Sequence, residues 1–201
     1  VYRSHGEGAE LGKGRIEAFS DGVIAIVITI MVLEMKSPHS ADLSALRPLL
    51  PVFLSYVLSF IYVGIYWNNH HHFFHAVQHV KGMALWANLH LLFWLSLIPF
   101  VTGWMGESHF SMWSVAAYGF ILLMSAVAWM ILSGVLIRHH GQESALAQAV
   151  GKRGKEWASL ALYVAGIGLS FVNPWLSCSL YSAVAVMWFL PDRRVERVLK
   201  A

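Results

Sequence analysis

Four intervals of this sequence contain no Asp, Glu, Lys or Arg. They span 33 residues between Arg47 and Lys81, 25 between Lys81 and Glu107, 30 between Glu107 and Arg138, and 35 between Glu156 and Asp192. A helix rises ~1.5 Å per residue, so about 20 mostly apolar residues cross the ~30 Å hydrocarbon core of a bilayer. Each interval is long enough for a crossing. The last holds two, because Asn173-Pro174 interrupts it with a turn. With 57% hydrophobic and only 12% charged residues among 201, the chain carries about half the charge of a soluble domain. The pattern is that of an all-α integral membrane protein.

Six transmembrane helices follow, at about 15–35, 49–73, 82–103, 112–137, 155–172 and 174–191. The strict alternation of barrel strands is absent. Residues 1–14 are polar and Gly-rich, without the apolar core of a signal peptide, and are expected to form a cytoplasmic tail. Residues 15–191 are expected to form the six-span membrane domain, and 192–201 a basic cytoplasmic tail.

Orientation follows from the loop cations. Arg3, Lys13, Arg15, Lys81, Arg138, Lys152, Arg153, Lys155, Arg193, Arg194, Arg197 and Lys200 fall on one side of the predicted spans. Lys36 and Arg47 fall on the other. Both termini are therefore expected in the cytoplasm, with the protein in the plasma membrane. The same count accounts for the +3 net charge without invoking nucleic acid. These cations flank spans and meet anionic headgroups.

Several chemistries lack their residues. Cys178 is the one cysteine, so neither a disulfide framework nor a CxxC metal site exists. The sequence has no GxSxG elbow, HExxH, P-loop or dinucleotide loop after a strand. No paired-carboxylate site is available in the spans, and no helix is broken at mid-span as in secondary transporters. An enzyme is not expected.

The first span differs from the others. Its apolar half is Gly22–Leu33, and its other half carries Arg15, Glu17 and Asp21. Ionisable groups at membrane depth are costly and usually face a protein interior or water. At 100° per residue, Phe19, Gly22, Ile26, Thr29, Ile30 and Leu33 share one arc, and Asp21 points roughly opposite Ile26. Two arrangements fit this wheel. Either the aliphatic stripe meets lipid while Asp21 pairs with a neighbour, or it lines an axial pore between several copies. In a pore, rings of Ile26, Ile30 and Leu33 would gate by dewetting, and Thr29 would add a ring of hydroxyls. The wheel alone does not choose between them.

The run Arg15-Ile-Glu-Ala-Phe19-Ser20-Asp21, with Ile26 and Thr29 five and eight positions after the Asp, resembles the signature of the transmembrane protein 175 family of potassium channels. Trp67-Asn-Asn-His70-His-His-Phe-Phe74 resembles the family's W-x-x-H-x-x-x-F, and Asn88-Leu89 with Pro99-Phe100 its third-span pattern. The likeness covers about 15–103. It implies a fold in which members with one six-helix repeat, typically bacterial, form homotetramers whose first helices line the pore.

By that resemblance, Ile26 is the narrowest ring, Ile30 and Leu33 are outer layers, and Thr29 carries the potassium preference. Arg15, Ser20, Asp21, His70 and Asn88 form a hydrogen-bonded network behind the pore, with Phe19, Trp67, Phe74 and Pro99 as packing positions of the motif. Arg15 fits less well, since it projects to the pore arc at the mouth or sideways to a neighbouring subunit. Ala25 stands where some relatives carry Ser, which implies weaker selectivity or reliance on Thr29 alone. Thr102-Gly103-Trp-Met-Gly106 lacks the re-entrant helix of a carbonyl filter. The implied function is passive conduction of potassium, with no cofactor.

Eleven histidines need an account. Five of them, His70, His71, His72, His75 and His79, gather at the end of the second span, and their i,i+4 pairs suit a transition metal. A metal transporter or haem-binding redox protein is the alternative they raise. Against it, no Asp or Glu lies near to complete a site, and His90 stands alone. Trp67, Trp104, Trp113, Trp157, Trp175 and Trp188 fall near span ends, as an interfacial belt requires. Gly119, Gly134, Gly166 and Gly168 are expected to allow close helix packing.

Overall fold

The computed structural model describes residues 5–38, 41–77, 80, 82–141, 144, 147 and 153–189, with side chains described from residue 12 onward. The first four residues, His79, Lys81, Lys152 and the basic tail 192–201 lie outside the described residues. Among the described residues seven α-helices follow one another: α1 (His5–Leu33), α2 (Leu50–His75), α3 (Gly82–Ser96), α4 (Ile98–Glu107), α5 (Met112–His140), α6 (Gly154–Ser170) and α7 (Pro174–Phe189). A 3-10 turn, Leu43–Leu49, leads into α2.

Among the described residues, four helical stretches are long and apolar enough to cross a bilayer: Gly12–Leu33, Leu43–His75, Gly82–Glu107 and Met112–His140. They overlie the first four expected spans. The helices α6 and α7 have 17 and 16 residues, or roughly 24–26 Å at ~1.5 Å per residue, and fall short of that length.

Local chemistry moves some expected boundaries. The helix α1 begins at His5, ahead of the span start expected at 15, and runs through Gly12 and Gly14. Lys13 donates to the His75 carbonyl at 3.1 Å and Ile16 is buried, which ties this end of α1 down. The single expected third span is two helices. Pro99 sits in the first turn of α4, where its missing N–H breaks no bond, and the chain turns at Leu97. At the other hairpin, the Asn173 side-chain oxygen accepts the Trp175 N–H at 2.9 Å and caps α7.

The helices pack in a fixed order. One flank is α1, set against α2, α3 and α4; the other is the α6–α7 hairpin, set against α5 and α2. Between them lie buried polar contacts that hold helices together where water is absent. Ser59 meets Thr102 at 2.7 Å and donates to Tyr118 at 3.0 Å, while the Tyr62 hydroxyl donates to the Tyr181 carbonyl at 2.6 Å. A Cβ at Gly119 or Gly166 would overlap the Tyr181 ring, so these two glycines set the approach of α5 and α6 to α7. Gly168 faces open space, and the nearest atom to a Cβ at Gly134 is the end of Arg153, 3.6 Å away. Those two are not packing positions in the subunit.

Candidate functional site

The α1 helix divides into two faces. Ile16, Ser20, Ile24, Val27 and Met31 are buried against the subunit. The opposite stripe is open: Ile26 is 57% exposed, Ile30 40% and Leu33 78%, with Phe19, Gly22 and Thr29 also exposed. This is the arc the helical wheel assembled. The neighbouring helix α2 turns Phe53, Leu54, Val57, Phe60 and Trp67 outward, a bulky face suited to lipid. The exposed side of α1 instead interleaves Ala18, Gly22, Ala25 and a threonine with its aliphatics, small residues of the kind that let helices approach closely.

Thr29 donates its hydroxyl to the Ile26 carbonyl at 2.9 Å, one turn back. Its proton is thereby committed to the helix, and its lone pairs remain as acceptors on the open stripe. That is the polarity a cation requires.

Behind the stripe runs a buried chain of hydrogen bonds from three helices. The His70 Nε2–H donates to the Asn88 amide oxygen at 2.8 Å, and the Asn88 amide nitrogen donates to the Ser20 hydroxyl at 2.9 Å. All three are at most 2% exposed. The carbonyl oxygen of Asn88 can only accept, so His70 carries its proton on Nε2. Its Nδ1 has no partner among the described residues, and the ring stacks on Phe74 with centroids 4.3 Å apart.

Asp21 is half-buried beside this chain and accepts the Trp67 indole N–H at 3.0 Å. Two separate anchors thus hold α1 on the side away from Ile26: Ser20 through Asn88 and His70, and Asp21 through Trp67. Arg15 is exposed and is not joined to them in the subunit. Pro99 is buried at the start of α4.

Sequence reasoning missed the bonding role of Trp67, taken as a packing residue. Its signal was the spacing W-x-x-H, which sets Trp67 and His70 one turn apart on α2. It also missed Glu34 and Glu107. Both line an open groove of about 710 Å3 between α1 and α4, together with Ile26, Ile30, Pro99 and Phe100. Lys36 pairs with Glu107 at 3.5 Å, but both side chains are mostly exposed, so the pair adds little stability.

The histidine alternative finds no support. Among the described residues no group of three or more His, Cys, Asp or Glu is placed to hold a metal ion. The His71 and His75 rings lie 6.5 Å apart and His71 stacks on Trp67 instead. The Thr102–Gly106 run is helical within α4, and Thr102 donates back to the Ile98 carbonyl at 2.7 Å.

Comparison with known proteins gives a consistent picture. The model of a family described as endosomal/lysosomal potassium channel TMEM175 matches residues 15–99. A protein of Chryseobacterium sp. (strain P1-3) described as a potassium channel is 55% identical over 188 residues, covering 94% of this chain and 98% of the relative. One from Streptomyces collinus, also described as a potassium channel, is 31% identical over 187 residues, 88% of this chain and 91% of its own. The crystal structure of a lysosomal potassium-selective channel TMEM175 homolog from Chamaesiphon minutus superposes with a TM-score of 0.77 at 30% identity, covering 89% of this chain and 97% of that one.

Proposed function

The chain belongs to the TMEM175 family of potassium channels, and from that membership we propose that four copies gather their α1 helices around one central pore. It is a passive cation channel of a multi-pass membrane protein family, not a member of an enzyme class. The ion it conducts is potassium, and nothing covalent happens to it.

One observation carries the pore assignment: α1 is anchored by polar bonds to α2 and α3 on one side while Ile26, Thr29, Ile30 and Leu33 stand open on the other. In the assembly Ile26 forms the narrowest ring, and Ile30 and Leu33 the layers one and two turns beyond. Hydrophobic rings of this kind hold a pore shut by expelling water, and widening them lets water and ions enter. Thr29 supplies acceptor lone pairs between those rings, and potassium preference rests on it. Ser20, Asp21, His70 and Asn88 fix the rotation of α1, so that the stripe keeps facing the axis. Arg15 projects at the same arc as Ile26 and serves the pore mouth or a neighbouring subunit.

The remaining features are proposed with the same assembly. All six expected spans cross the membrane, α3 and α4 together making the third, and α6 and α7 crossing as a short hairpin. The excess of cations sets both ends of the chain in the cytoplasm of a plasma membrane. Glu34 then lies near the outer mouth, where its charge attracts cations.

The test is potassium flux into liposomes holding the purified chain. Flux should follow potassium over sodium and vanish for a large organic cation. Absence of potassium flux from correctly inserted protein would overturn the assignment.

A further inference from the structure

The pocket enclosed by α2, α5, α6 and α7 lies on the flank away from α1. Tyr62, Tyr66, Trp129, Tyr163 and Trp188 wall it, and Glu156 and Asn69 add polar groups. Its volume is about 30 Å3. A single water needs roughly 10–15 Å3 by this measure, so the space suits one or two water-sized groups.

Glu156 is the unusual member. Its side chain is only 7% exposed. Its Oε2 stands 3.6 Å from Arg153 Nε, too far for a hydrogen bond, and accepts none from any described residue. A buried carboxylate oxygen without a donor is costly, so the pocket favours a guest that donates to it.

The chemistry of the wall narrows the guest. An anion is repelled by the carboxylate, and an apolar guest leaves Oε2 unpaired. A hard metal cation requires a shell of several oxygens, where this pocket is lined mainly by aromatic side chains and holds one carboxylate. Aromatic rings attract an ammonium, whose N–H groups also serve the carboxylate.

We propose that this pocket binds a primary ammonium group, with the Glu156 carboxylate accepting its hydrogen bonds and the surrounding aromatic rings contacting its charge. The group comes either from a free small amine or from the headgroup of an aminophospholipid. For a lipid, Arg153, ion-paired with Glu156 across 3.6 Å and with its side chain 32% exposed, also meets the attached phosphate.

Thermal unfolding of the intact purified chain tests this, at fixed ionic strength, with methylammonium against sodium and tetramethylammonium. Methylammonium should raise the melting temperature; sodium, which lacks N–H donors, and tetramethylammonium, which is too bulky and also lacks them, should not. Glu156→Gln, nearly the same shape, should weaken the apparent methylammonium affinity about tenfold or more. Thr29→Ala should leave that affinity unchanged, which separates this pocket from the pore.

A second arm compares nanodiscs of phosphatidylethanolamine and phosphatidylcholine, reading retained lipid by native mass spectrometry. Preferential retention of phosphatidylethanolamine, lost in Glu156→Gln, identifies the lipid as the source. Should Glu156→Gln not fold, the preference of the wild-type chain for methylammonium over both control ions decides alone. Equal response to all three ions, without lipid preference, means water only and overturns the proposal. A methylammonium shift undiminished in folded Glu156→Gln overturns it as well.

Discussion

The Asn88 amide nitrogen donates to the Ser20 hydroxyl at 2.9 Å, and this bond ties α3 to the buried face of α1. Because His70 donates to the other end of the same amide, removing Asn88 orphans groups on two helices at once. Interhelical hydrogen bonds within membranes are individually modest, averaging about 0.6 kcal/mol. An unpaired buried group costs more, about 1–3 kcal/mol. Asn88→Leu should therefore destabilise the subunit by about 1–2 kcal/mol, read as a fall in the unfolding midpoint in a single detergent. An unchanged midpoint would show that the chain of bonds does not fix α1.

Asp21 faces Trp67 rather than the open stripe. Its loss is expected to loosen α1 without altering what an ion meets. Asp21→Ala should lower assembly or total flux severalfold, with the ratio of potassium to sodium flux within about twofold of wild type. Altered selectivity with assembly and total flux intact would put Asp21 in the conduction path.

Ile26 is 57% exposed in the subunit and carries no polar atom on its side chain. Placing an amide there should wet the constriction. Ile26→Asn is expected to raise potassium flux severalfold over wild type in the same liposomes. Equal flux would locate the constriction at another layer.

Gly166 and Gly168 are two residues apart on α6 and have opposite surroundings. A methyl group at 166 collides with the Tyr181 ring, and overpacking a core costs typically 1–3 kcal/mol. A methyl at 168 meets nothing, and replacing a helical glycine by alanine favours the helix by up to about 1 kcal/mol. Gly166→Ala should lower the unfolding midpoint and Gly168→Ala should hold or raise it. The reverse order would contradict the α6–α7 packing.

Much of this architecture is legible in the chain because lipid imposes a simple rule. Charges cannot be scattered through a crossing segment, so the intervals bounded by Arg47, Lys81, Glu107 and Arg138 mark helices directly. The two faces of α1 are legible for the same reason, since a helix repeats every 3.6 residues and Ile26 and Asp21 must diverge. The break at Leu97 was less visible. Pro99 alone does not say whether a span kinks or divides, and its neighbours are uniformly apolar. The start of α1 was hidden by Gly6, Gly8, Gly12 and Gly14, which disfavour a helix locally. Tertiary contacts override that preference, because Lys13 reaches His75 and Ile16 is buried. The Trp67–Asp21 bond spans 46 residues of sequence, and only the packing of α1 on α2 brings it together.

The most direct test of the pore assignment uses the single native cysteine. On a Cys178→Ser background, Ile26→Cys and Val57→Cys place one thiol each on the open stripe of α1 and the outer face of α2. Potassium flux is then measured before and after a charged thiol reagent, with labelling checked by mass. The account predicts that labelling Ile26→Cys cuts flux at least about tenfold and labelling Val57→Cys leaves it unchanged. Full labelling of Ile26→Cys with flux intact would contradict a pore lined by α1.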